Sequence, residues 1–414
     1  MEWLSAGAGY VTLCHTRQIS FILDPEIARK NTMKKIVWFR QNYLPLEIVQ
    51  TIKDHVPVFD YTVYENTLGL CYANGFWSRS QSPTTLFLND PVFFGAEMPR
   101  YNASAETDFD RITDARCQWL RKHRWDRPWL LEWSGGLDST LMICAVLKNL
   151  ETQDLDNITV GMTRASLYEN SQFYHDVIEH KFKILDLNSP HYSNIYHTHY
   201  LVNGEPADML PGGGLAEYAR RCGIDLSLPW RDNIGLLRTF LSNTRIGITG
   251  TDFLLKTMQD ELGNLDPGAP PVDIIAEWFW WINFCWKWMS LTVHRLHPGR
   301  QDAKRYIEAL VNWFDTQEYQ QWSMLRGRYS LLTNASTPKS YKQDWRRYIH
   351  QIWSDAHFNH FKIKIASTSL ALDASAPWAC LLDDYSFLSF PKDQDQIKKL
   401  LPYVINDHFK KQTP

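Results

Sequence analysis

The sequence contains no C-x-x-C pair, no internal repeat, no low-complexity tract and no apolar run long enough to cross a bilayer. Each absence excludes something. Seven cysteines (Cys14, Cys71, Cys117, Cys144, Cys222, Cys285 and Cys380) are scattered and odd in number, which argues against a zinc site and for reduced thiols. The most membrane-like stretch, Trp278 to Met289, is broken by Asn283 and Lys287. It runs about twelve residues, against the roughly 20 that a spanning helix needs. A buried helix, apolar on nearly all faces, is expected there, with an aromatic ligand pocket as the lesser alternative. The start, Met1-Glu2-Trp3-Leu4-Ser5, lacks a basic region followed by an apolar core, so no signal peptide is expected and a cytoplasmic chain is the simplest reading.

Excess charge of one sign is missing too. Lys and Arg total 43 against 46 Asp and Glu, a net charge of −3 at pH 7. The electrostatic attraction that dominates nucleic-acid affinity is therefore not advertised, which makes nucleic acid a disfavoured partner while leaving room for a local basic groove that nothing demands. What is present is an ordinary 44% of hydrophobic residues over 414 positions, enough for a sizeable core and for two or three domains. Tryptophan is abundant, at 18 residues.

One string stands out. Ser134-Gly135-Gly136-Leu137-Asp138-Ser139-Thr140 follows the apolar run Trp129-Leu130-Leu131 and precedes Leu141 to Leu147. This reads as a strand, a phosphate-cradling turn and a helix. Paired glycines let backbone approach an anion, and the helix turns free N–H groups toward the same point. Ser134, Ser139 and Thr140 add hydroxyls, while Asp138 offers a carboxylate to a magnesium ion bridging to phosphate. The plain alternatives are a tight turn before a helix and, for Asp138, a carboxylate serving the helix N-terminus.

Around this string the chain alternates. An amphipathic helix is expected over Asp108–Arg124, strands over Asn157–Met162, Phe182–Leu187 and Thr198–Val202, and a helix over Leu167–His180. Such alternation predicts an α/β fold with a doubly wound parallel sheet, its ligand outside the carboxyl ends of the strands. Beyond about residue 215 the pattern is mostly helical and predicts a helix-rich C-terminal lobe. Residues 1–104 read as a small strand-containing N-terminal domain, with β-like runs at Tyr10–Leu13, Ile36–Phe39 and Thr85–Leu88, ahead of a larger domain over 105–414.

The first loop resembles the pyrophosphate-binding loop (PP-loop) of ATP pyrophosphatases, which cleave ATP between the α and β phosphates. A second string sharpens the resemblance. In Asn203-Gly204-Glu205-Pro206-Ala207-Asp208-Met209-Leu210-Pro211-Gly212-Gly213, the residues Gly204, Glu205, Ala207, Asp208, Leu210, Gly212 and Gly213 match a loop of the asparagine synthetase-like branch, which includes β-lactam synthetases and lasso peptide cyclases. Ser166 to Phe173 is similar to that family in the same order, and Pro377 to Phe390 loosely so.

The resemblance implies an adenine nucleotide α-hydrolase-like fold, ATP and Mg2+ as cofactors, and activation of a carboxylate as an acyl-adenylate that an amine then attacks. Carried onto this chain, it makes Asp138 and Asp208 the magnesium ligands and Ser134, Gly135, Gly136, Ser139, Thr140 and Gly204 the nucleotide cradle. Gly161 and Met162 would lie beside the adenine. Glu205 would act in the second step, its alternatives being a hydrogen-bond acceptor or a solvated loop carboxylate. Lys398 and Lys399 are the positional candidates for the family's late lysine, and equally read as exposed lysines of a terminal helix.

Departures narrow the expectation. Pro206, Met209 and Pro211 replace a glycine, a glutamate and an aromatic of the family's loop. Glu2 stands where glutamine-using members expose a cysteine, and the N-terminal region is short for a glutaminase, so a degenerate or truncated one is expected. The chain thus reads as an amide-forming ligase acting on a small-molecule or peptide carboxylate and on ammonia or an amine, supplied by a separate protein or free in solution. The alternatives are a PP-loop enzyme modifying a nucleotide or nucleic-acid base, and a nucleotide-binding pseudoenzyme subunit. Histidine pairs at His197/His199, His294/His297 and His357/His360 lack a recognisable ligand spacing and read as surface or packed histidines.

Overall fold

The computed structural model describes residues 97–212, 222–243, 247–288, 303–333 and 340–354, four residues between 213 and 221, and six short strands elsewhere. The chain divides into two compact units. One takes Glu106–Ala207, Glu308–Phe314 and Thr333–Pro414, the other Met1–Ala105, Asp208–Ile307 and Asp315–Leu332.

The first unit is an α/β fold built on a five-stranded, all-parallel sheet. Helix α1 (Phe109–His123) starts where the Asp108 carboxylate accepts the N–H groups of Asp110 and Arg111, and buries Phe109, Ile112, Cys117 and Leu120. The chain then enters β1 (Trp129–Glu132), every residue of which is buried. Helix α2 (Leu137–Asn149) returns to β2 (Ile158–Met162), and the sheet continues through β3 (Lys183–Asp186), β4 (Tyr200–Asn203) and β5 (Leu310–Asn312) in the order β3-β2-β1-β4-β5. Continuous apolar strands such as Trp129-Leu130-Leu131 suit a parallel sheet covered on both faces.

The strands expected around residues 157–162, 182–187 and 198–202 are present within a residue or two. One expectation is corrected. The helix expected over Leu167–His180 is broken at Asn170 (φ −154°), whose side chain accepts Phe173 N–H at 3.2 Å, ending one helix at Glu169 and starting the next. Beyond residue 215 the described residues are mostly helical, as expected, and they also return β5, three residues long, to the edge of the sheet. Helix α3 (Gln343–Ile352) buries Trp345, Arg346, Tyr348 and Ile349. It is joined to α2 near both of that helix's ends, by Lys342 to Asp138 and by the Tyr348 hydroxyl to Asn149.

In the second unit the tryptophan-rich segment Ile275–Trp281 continues into a π-helical turn, Ile282–Lys287, and its rings are buried as expected. Glu261 accepts the indole N–H groups of Trp281 and Trp286 at 2.8 and 2.6 Å. Arg328 and Glu277, each 4% exposed, form an ion pair at 3.2 Å. The second Glu277 oxygen accepts the backbone N–H groups of Asp273 and Ile274.

Elsewhere, Ile36–Val37 pairs with Cys71–Tyr72, Thr85–Phe87 with Pro91–Phe93, and Trp378–Leu381 with Phe387–Phe390, all antiparallel. The run Tyr10–Leu13 lies outside the described residues. Among the described residues no helix is long and apolar enough to cross a membrane.

Candidate active site

The sheet order places a topological switch between β1 and β4. From β1 the chain winds through β2 to β3 on one side, then crosses back to lay β4 on the other. Ligands of open α/β sheets bind outside the carboxyl ends of the strands at such a switch. The loops that leave β1 and β4 there begin at Trp133 and Gly204, and they are the two strings singled out in the sequence.

The first loop is shaped by its glycines. Gly135 has φ +79°, and a Cβ at that position would lie 2.4 Å from the Ser166 carbonyl oxygen and 2.8 Å from Glu169 Cβ. Gly136 stands at the N-cap of α2 with no side-chain capping hydrogen bond, leaving the first turn's N–H groups to another acceptor. Internal bonds hold the turn. Ser134 N–H donates to Ser139 Oγ at 3.1 Å, Gly136 N–H to Ser134 Oγ at 3.3 Å, and Ser139 Oγ to the Gly136 carbonyl at 3.3 Å. Thr140 is fully buried, its hydroxyl accepting from Trp133 Nε1 at 3.1 Å, so its side chain supports the loop from within.

The second loop closes on the first. A Cβ on Gly204 would lie 3.1 Å from the Asp138 backbone carbon, from Asp138 Cβ and from the Ser139 nitrogen. Glycine is what lets the loops touch. Glu205 is half-buried, with its N–H donating to Asn203 Oδ1 at 2.9 Å and its carbonyl accepting Phe314 N–H at 3.1 Å. Asn203 donates in turn to Asn312 Oδ1, and Arg116 of α1 donates to the carbonyls of Asn312 and Trp313, each at 3.0 Å. Strand β5 therefore fixes the backbone of the loop that carries Glu205.

Asp138 has a partner that the sequence reading missed. The Lys342 ammonium lies 2.6 and 2.7 Å from the two Asp138 carboxylate oxygens, with the lysine side chain 1% exposed and the aspartate 24%. A signal for it exists: Lys342, Trp345, Arg346 and Ile349 share one helical face by spacing, so a cation heads the face that packs. Lys398 and Lys399 lie outside the described residues.

Gly161 and Met162 end β2. Their carbonyls accept Trp133 N–H at 2.8 Å and Leu187 N–H at 3.0 Å. Beside them, Glu132 is buried and accepts the Tyr192 hydroxyl at 2.7 Å. Asp208 lies in the short turn Ala207–Met209 and opens the second unit. There the continuation of its loop is pinned. The Leu210 carbonyl accepts Trp280 Nε1 at 3.1 Å and Ser323 Oγ at 2.5 Å, Asn283 donates to the Gly212 carbonyl, and Gly212 (φ +85°) meets Trp280. Gly213 lies outside the described residues.

The chemistry of this donor set is that of an anion site: an uncapped helix start, two glycines in close approach, and a lysine held at the same point. Among the described residues no group of three or more His, Cys, Asp or Glu side chains is placed to hold a metal by itself. Partial burial lowers the affinity of His199, just before β4, for a proton. Comparison with protein-family models and with curated proteins finds no match for this chain.

Proposed function

We propose that the chain is an ATP-dependent, amide-bond-forming synthetase that adenylates a substrate carboxylate, releases pyrophosphate, and couples the activated acyl group to ammonia or an amine. The observation that carries this reading is the buried Lys342 held on Asp138 beneath the uncapped start of α2. A triphosphate placed there would meet the N–H groups of the α2 first turn and the ammonium together. Both stabilise negative charge on the pyrophosphate as it departs, which is where the barrier to adenylation lies.

Asp138 would hold a magnesium ion that enters with the nucleotide, and Asp208 is the second carboxylate that the sequence assigns to it. Such an ion neutralises the triphosphate. Within the protein, Lys342 orients the Asp138 carboxylate, Ser134 and Ser139 hold the loop open to phosphate, and Gly161 and Met162 line the base position. Glu205 is the base proposed to take a proton from the attacking amine, its backbone anchored at Asn203 and Phe314.

The test is release of pyrophosphate and AMP from ATP, screened over carboxylates with and without ammonium. Pyrophosphate that depends on a carboxylate supports the reading, and Asp138→Ala abolishes it. ADP and phosphate as the products would overturn it.

A further inference from the structure

At the opposite end of the sheet from both loops, where β1 and β4 begin, the fold gathers cations that the overall composition conceals. Arg121, Lys122, Arg124 and Arg127 fall within seven residues of chain, from the last turn of α1 to the entry of β1. Aromatic rings hold three of them. Arg121 lies 4.4 Å from the Trp125 ring centre, and Arg124 and Arg127 lie 5.3 and 5.0 Å from that of Tyr200, the first residue of β4. Lys122 and His123 are exposed, and Trp119 is 46% exposed, stacked on His123 at 4.7 Å.

The helix terminus accounts for part of this. Arg121, Lys122 and His123 complement the negative end of α1, and Arg121 is paired with Asp154 at 3.0 Å. Arg124 is the C-cap residue of α1 and Arg127 lies beyond the helix, so neither belongs to its last turn. Arg127 faces Asp126 at 3.8 Å, yet its Nη1 is buried with no hydrogen-bond partner. Among the described residues neither Lys122 nor Arg124 has a carboxylate within ion-pair distance. Guanidinium forks preset on aromatic faces lose little side-chain freedom when they bind phosphate.

We propose that this surface binds single-stranded nucleic acid, with Lys122, Arg124 and Arg127 on successive phosphates and Trp119 against a base. The exposed indole favours a nucleic acid over an acidic peptide, because stacking on a planar ring rewards a base and not a carboxylate. The site is separate from the one at the β1–β4 switch and does not depend on its chemistry.

The experiment is fluorescence anisotropy of the full-length chain with a labelled 20-nucleotide oligouridine at 50 and 200 mM salt, with an oligoglutamate peptide as competitor. Three phosphate contacts to a single strand give a log–log salt slope of about −2, so binding weakens roughly 20-fold over that range. Arg124→Ala/Arg127→Ala brings the slope to about −0.7. Trp119→Ala costs at least about fivefold at either salt. Lys122→Glu, at an exposed position, tests the same slope should the double variant melt early. No binding at 50 mM salt, a slope unmoved by these variants, or oligoglutamate competing as well as oligouridine with Trp119→Ala neutral would each overturn the proposal.

Discussion

Lysine is among the residues least often buried, and Lys342 is buried at the one carboxylate that the first loop presents. Removing one member of such a pair leaves the other charge uncompensated, at a cost of about 3–5 kcal/mol when both are fully buried. Asp138 keeps a quarter of its side-chain surface, so the cost here is smaller, on the order of 2 kcal/mol. Lys342→Met therefore lowers the thermal midpoint and reduces pyrophosphate release roughly 100-fold, which paired melting curves and single-turnover assays will check. Lys342→Arg restores less than the lysine supplies, because the planar fork cannot occupy the place of a compact ammonium 2.6 Å from one oxygen and 2.7 Å from the other. At this scale the sequence was legible where a string of neighbours forms one turn. Asp138, Gly135 and Gly204 could be read because their loops are contiguous. Lys342 is 204 positions from its partner, and no local pattern encodes that meeting.

Helices α1, α2 and α3 meet at Asp114. Its carboxylate accepts Lys148 Nζ at 2.7 Å and Asn149 Nδ2 at 2.8 Å, with a short bond from the Tyr348 hydroxyl. Burial alone would raise its pKa, but the bonds from Lys148, Tyr348 and Asn149 outweigh that and hold it below the usual carboxylate range. A depressed folded pKa means stability that is complete above the unfolded value near 3.9 and is lost as the pH falls through the folded one. Asp114→Asn should therefore lower the thermal midpoint at pH 7 and matter progressively less below about pH 4, so that the two melting-temperature profiles converge on acidification. Divergence toward acid would contradict the assignment. Legibility varied between elements for a physical reason. Strands β1, β2 and β4 are largely buried runs of four or five residues, long enough to show an apolar signal, whereas the edge strand β3 is largely exposed. Strand β5 has three residues and takes its place from pairing with β4, which no window of sequence can reveal. The break at Asn170 was visible only as a residue type that favours caps.

Across the whole molecule, averages misled where arrangement mattered. A net charge of −3 says nothing of Arg124 and Arg127 flanking Tyr200, and 18 tryptophans say only that some must be buried. The structure gives the tryptophans specific duties. Trp280 and Asn283 hold the Leu210–Gly212 backbone, and Trp281 and Trp286 satisfy Glu261. The parallel sheet was legible from alternation, since each β/α unit is local. The two compact units are each assembled from segments far apart in the chain.

That discontinuity bears on how the protein is made. A ribosome delivers the residues of β1 to β4 and both glycine loops well before it delivers β5 at Leu310–Asn312, which anchors the Glu205 backbone, or Lys342, which neutralises Asp138. The nascent chain thus carries a sheet with one edge unpaired and an Asp138 loop with no counter-charge throughout the synthesis of more than 100 intervening residues. Arrested chains of increasing length should acquire ATP binding in one step, once α3 has left the exit tunnel. Binding by chains that end before residue 340 would show that the loops suffice alone.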